Sequence, residues 1–143
     1  MKIFTKILIG VLAAALIAFL WFLMLPEPVQ GLTDRKDYRL GDPLEISIKN
    51  NLGRAVCFSS CYPYLAEKQN AEGEWEQYSY ESCPAADAAA DCVPAGAAKK
   101  FRLMLSDVDG GLNRLKLPVC VNCAPGQDFK ADSVLHSNTF KVE

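Results

Sequence analysis

A chain of 143 residues, 50% apolar and 22% charged, has the length and composition of one folded domain rather than of a disordered or fibrous protein. Its formal net charge of −2, without a run of basic residues, excludes the positive stripe of a nucleic-acid-binding protein. A single histidine excludes a histidine-rich metal site.

Residues 1–6 carry Lys2 and Lys6 and precede nineteen uncharged residues, 7–25 (ILIGVLAAALIAFLWFLML). At ~1.5 Å per helical residue such a run spans roughly the ~30 Å of a bilayer's hydrocarbon core. It exceeds the ~7–15 apolar residues of a cleaved signal peptide, and no Ala-x-Ala site follows. Phe19, Trp21 and Phe22 stand where an aromatic belt forms. The run therefore predicts an uncleaved single-pass anchor, with cleavage as the alternative. Lys2 and Lys6 lie closer to it than Arg35, Lys36 and Arg39. Residues 1–6 are thus expected in the cytoplasm and the rest on the periplasmic side of the inner membrane. Residues 26–31 (PEPVQG) end the helix at proline and read as a short, stiff stalk.

From residue 32 onward the periodicity is two. Residues 44–49 (LEISIK), 101–105 (FRLML), 114–119 (RLKLPV) and 138–142 (NTFKV) alternate apolar with polar. Less regular strands are expected at 55–58, 62–68 and 74–80. Turn signals at 41–43, 50–53, 70–73 and 109–111 separate them. About seven short, half-buried strands predict an all-β, antiparallel sandwich over residues 32–143, preceded by the transmembrane helix. The alanine-rich stretch 85–98 reads as an excursion between strands.

Six cysteines, Cys57, Cys61, Cys83, Cys92, Cys120 and Cys123, stand in this part. The spacings Cys57-x3-Cys61 and Cys120-x2-Cys123 would suit a thiolate–zinc site in the cytosol, but in an exported domain they predict disulfides. If 64–68 and 74–78 form a hairpin around 70–73, facing residues have numbers adding to about 142–144. Cys61 and Cys83 obey this rule and are expected to bond. Cys120 and Cys123 are expected to bond to each other, leaving Cys57 with Cys92, although Cys92 reaching Cys120 remains open.

The order Tyr38-x-x-Gly41-Asp-Pro-Leu-Glu-Ile46, Asn50, Trp75, Pro94-Ala-Gly96 before Phe101, Gly111 with Arg114, and Ser137-Asn-Thr-Phe140 resembles bacterial immunoglobulin-like domains of membrane-anchored and secreted proteins. The resemblance covers nearly all of the exported part, and its motifs mark strands and turns. It implies an immunoglobulin-like sandwich, in a class dominated by binding, adhesion and accessory modules.

Little in the chain suggests catalysis. No nucleophile elbow or phosphate-binding loop occurs, so no catalytic residue and no cofactor is expected. His136 reads as an edge histidine. The segment 107–111 (DVDGG) lacks the downstream carboxylate of a calcium loop and predicts a hairpin turn, with no metal. Tyr62, Tyr64, Trp75, Tyr78 and Tyr80 cluster on one hairpin and form a candidate binding face beside their role in packing. Cys120-Val-Asn-Cys123 has the spacing of a redox dithiol, but no helix follows to lower a thiol pKa. The expectation is a non-enzymatic, membrane-tethered, disulfide-stabilised module with a protein partner and no nucleic acid. The alternative is a thiol–disulfide or thiolate–metal protein using Cys120 and Cys123.

Overall fold

A computed structural model describes residues 12, 15–17, 19, 20, 27–78, 83, 86–105, 108–121 and 123–143. Leu12, Leu16, Ile17, Phe19 and Leu20 are helical and exposed. Most of the expected membrane anchor at 7–25 lies outside the described residues. Among the described residues no helix is long and apolar enough to cross a membrane.

The remainder is β-structure. The strands are β1 (Val29–Thr33), β2 (Asp37–Tyr38), β3 (Pro43–Asn50), β4 (Val56–Ser59), β5 (Leu65–Gln69), β6 (Trp75–Gln77), β7 (Ala89–Val93), β8 (Ala98–Met104), β9 (Gly111–Cys120), β10 (Ser133–His136) and β11 (Phe140–Val142). β1, β3 and β8 make a three-stranded sheet. The other eight strands form a second sheet around β9. β9 carries β11 and then β10 along one flank and β5 and then β4 along the other. Asn113 therefore lies between Phe140 and Lys68, and Lys116 between His136 and Leu65. The pairings between strands are antiparallel except β2 with β11.

Alternation explains the core. Leu44, Ile46 and Ile48 of β3 and Leu115, Leu117 and Val119 of β9 point inward and join Phe58, Val93, Leu103, Phe140 and Val142 in one buried cluster. Each side chain of this size contributes ~1.5–3 kcal/mol by leaving water. Gly31 sits where the sheets approach: a Cβ there would lie 3.3 Å from Ile48 Cδ1 and 3.4 Å from Leu117 Cδ1. Two buried asparagines close irregular stretches. Asn50 Nδ2 donates to the carbonyls of Arg54, Val93 and Pro94 at 2.8, 3.0 and 3.1 Å. Asn113 Nδ2 donates to Gly111 O at 3.0 Å, and its Oδ1 accepts from the Tyr78 hydroxyl at 3.2 Å.

Several expectations change. The stalk at 26–31 is a strand from Val29 onward, pairing with β3, and Pro28 O accepts the Asn51 amide at 2.9 Å. The folded unit thus begins by Glu27, five residues before the expected boundary. Proline is tolerated at the start of an edge strand, so Pro28 marks a strand entry rather than a spacer. The alanine-rich stretch contains β7, whose Ala89 is small enough to be buried against its neighbours. The turn near 109–111 makes no hairpin; it carries the chain from β8 in one sheet to β9 in the other.

Candidate functional site

Four of the cysteines gather at the C-terminal end of β9. Cys57 of β4 stands opposite Cys120 and is bonded to Cys92 of β7. Cys120 is bonded to Cys123, and Cys61 to Cys83, with Cα separations of 5.5 and 5.7 Å. The hairpin register is the one the spacing demands: Glu67 faces Gln77, Lys68 faces Glu76 and Gln69 faces Trp75. A register shift in β4–β7 between Val56 and Phe58, with Asp91 at φ 48°, sets Cys92 beside Cys57. Asp87 braces the turn bearing Cys61: its carboxylate accepts the Ser59 hydroxyl at 2.7 Å and the Cys61 amide at 3.3 Å.

A carboxylate borders the Cys120–Cys123 disulfide. Cys120 Sγ lies 3.9 Å from Asp132 Oδ2, and that carboxylate also accepts the Val121 amide at 3.0 Å. A reduced Cys120 would face an anion, which disfavours the nucleophilic thiolate. Strand β9 leads into the motif, and residues 124–127 turn back toward β7 through Ala89 N–Gln127 O and Gly126 N–Ala89 O bonds of 2.8 Å each.

Three of the five aromatic residues of the candidate face have a described packing. Strand pleating sends Tyr64 and Tyr78 toward the core and Trp75 to the outer surface. Tyr78 is committed to Asn113 and to the Asp109 amide, which donates to its hydroxyl at 2.9 Å. Burial first, with the Asp109 charge adding to it, raises its phenol pKa. Tyr62 is half-buried, its amide donating to Ser59 Oγ at 2.7 Å. Tyr80 lies outside the described residues, as does Asp107 of the expected turn.

What the outer face of β5, β9 and β10 does assemble was not legible as a motif. Glu67, its side chain 7% exposed, receives Arg114 Nε at 2.6 Å, with Lys116 Nζ at 3.9 Å and His136 Nε2 at 3.7 Å. The Arg114 guanidinium also lies over the Trp75 ring, 4.2 Å from its centroid. Burial, then repulsion by Arg114, lowers the His136 pKa, against the pull of Glu67. Arg114 and Lys116 were readable as outward neighbours from their alternation in 114–119. Their convergence with Glu67 and His136 needed the strand order. Three basic side chains from two strands thus converge on the one buried carboxylate of a third. Among the described residues no group of three or more metal-binding side chains occurs.

No known protein family and no curated protein matches this chain. Among solved structures it is similar to a Pseudomonas fluorescens alkylpurine DNA glycosylase, AlkC, bound to DNA containing an abasic site analog, at 10% identity and a TM-score of 0.42. It is also similar to a beta-glucosidase from Listeria innocua in complex with gluconolactone, at 17% identity and a TM-score of 0.35. The matches cover 83% and 80% of this chain but span only 31% and 16% of those proteins. At such scores neither likeness bears on fold or activity.

Proposed function

We propose that this chain is a single-pass membrane protein whose exported, immunoglobulin-like domain binds a protein partner and performs no catalysis itself. The pairing of all six cysteines carries the reading, because three disulfides in a small domain belong to an oxidising, extracytoplasmic compartment. The exposure of Leu12, Leu16, Ile17, Phe19 and Leu20, between 48% and 65%, supports a lipid-facing helix. The carboxylate beside Cys120 favours a structural disulfide. Protease added to spheroplasts should digest the domain while intact cells retain it at the membrane. A protected C-terminus would defeat the reading.

A thiol–disulfide role is the second reading, favoured by one feature: Cys57 of one disulfide stands directly opposite Cys120 of another. Insulin reduction lost on Cys120→Ser would promote it. A Cys120→Ser protein that only melts earlier would leave the cysteines as staples.

A further inference from the structure

We propose that the free edge of β8 docks an extended segment of a partner protein in which apolar residues alternate with Asp or Glu. The proposal rests on the partner-binding reading above and states where binding occurs and what is bound. β8 ends the three-stranded sheet. Ala98–Met104 pairs with β3, and among the described residues no strand lies on its other side. An edge of this kind offers backbone amides and carbonyls to an incoming strand.

Beneath this edge, between the sheets, opens an apolar pocket of about 250 Å³. Phe101 and Leu103 of β8 line it, with Phe58, Leu117 and the Pro63–Tyr64 corner across the gap. A cavity of ~150 Å³ already holds a benzene ring, so the pocket has room for one large side chain. Phe101 and Leu103 lie on the inner face of β8, while Lys100 and Arg102 lie on the outer face.

Charge selects the occupant. β8 (AKKFRLM) carries Lys99, Lys100 and Arg102 and no acid. Lys99 is paired with Asp91 and Lys100 with Glu45, both at 2.6 Å. Arg102, at the mouth of the pocket, has no ion pair or hydrogen bond among the described residues, since its cross-strand neighbour Glu45 is engaged by Lys100. A strand added along β8 would drop alternate side chains into the pocket and present those between them to Arg102. Acidic residues fit there. A second copy of β8 does not, because self-pairing opposes cations to cations.

The test is an NMR titration of the full chain in detergent micelles. The probe is an alternating glutamate, valine and phenylalanine peptide, matched to the seven residues of β8. A lysine-for-glutamate analogue and a backbone N-methylated version serve as comparators. The glutamate peptide should protect the β8 amides from hydrogen exchange and shift Phe101 and Leu103 resonances. The other two peptides should do neither. Arg102→Gln should weaken binding roughly fivefold, the upper range for one exposed ion pair, and Arg102→Glu by more. Shifts confined to other strands, equal binding of the lysine analogue, or a peptide-free dimer protected at β8 would each overturn the proposal. A chain that is exported and cross-links to a partner while ignoring the peptide keeps the broader reading and loses this one. A chain retained in the cytosol loses the broader reading, whatever β8 binds.

Discussion

The two ends of β9 are held by different chemistry. At Cys120 one flank is irregular: β4 meets β7 through a register shift. Two disulfides meet there, Cys57–Cys92 and Cys120–Cys123, with Cys57 directly opposite Cys120. At Gly111 the chain closes through hydrogen bonds. Val142 lies between Gly111 and Tyr38, and Glu143 N donates to Tyr38 O at 2.9 Å. The Tyr38 hydroxyl donates to Asp34 Oδ1 at 2.7 Å, which also accepts the Glu45 amide at 2.9 Å. Tyr38 packs edge-on against Phe140, with ring centroids 5.5 Å apart. Cross-links thus stand beside the register shift, and a polar network holds the end where the short strands β2 and β11 pair in unbroken register.

The largest expected effect comes from opening the cysteine end. Changing Cys57 and Cys92 together to Ala releases a loop with a sequence separation of 35. By loop-closure entropy this should cost about 4 kcal/mol in urea unfolding. Removing Cys120–Cys123, separated by three residues, should cost only about 2 kcal/mol. Equal losses would mean that local packing, not chain entropy, sets the value of these bonds.

Between the two ends, Arg114→Met leaves the buried Glu67 carboxylate without its closest cation. A loss of about 2–3 kcal/mol is expected by the same measurement, because an uncompensated buried charge remains. A near-neutral result would show that Lys116 and His136 can take over.

At the other end, Asp34→Ala removes the acceptor of the Tyr38 hydroxyl and of the Glu45 amide and should cost about 1–2 kcal/mol. Burial pushes the Asp34 pKa up, but the Tyr38 hydroxyl, backbone amides and Arg35 together outweigh it and leave the pKa below its ordinary 3.8. A carboxylate depressed in the folded state stabilises above its unfolded pKa, and that contribution fades as pH falls through the folded value. Acid unfolding below about pH 4 should therefore shift to higher pH in the disulfide-deficient variant and flatten when Asp34 is also replaced.

The smallest effect belongs to His136. Its pKa is lowered from 6.5, so the unfolded chain binds the proton more readily. Tm should fall slightly as pH drops through that region, and His136→Gln should remove the slope. A Tm that rises on acidification would mean that Glu67 outweighs burial and the two cations.

Legibility varied with how local the signal was. Strands β3, β8, β9 and β11 were readable because each alternates along its own length and buries one face. The Cys61–Cys83 bond was readable because a single hairpin register determines both partners. β10 was missed: its residues are mostly exposed, and its pairing comes from the flank of β9 rather than from its own pattern. β1 was missed because prolines beside it imitate a linker.

By itself, then, the sequence determined the β character of the domain, its main inward faces and the Cys61–Cys83 pair, because period-two burial and hairpin register are short-range properties, whereas the choice of Cys57 over Cys120 as the partner of Cys92 waited for the strand order. Only the tertiary structure decided which residues meet on the outer surfaces. Glu67, Arg114, Lys116 and His136 converge through strands far apart in the chain. Arg102 is left over its apolar pocket because Lys100 takes Glu45. Such encounters depend on strand order and on competition for partners, which no local pattern encodes.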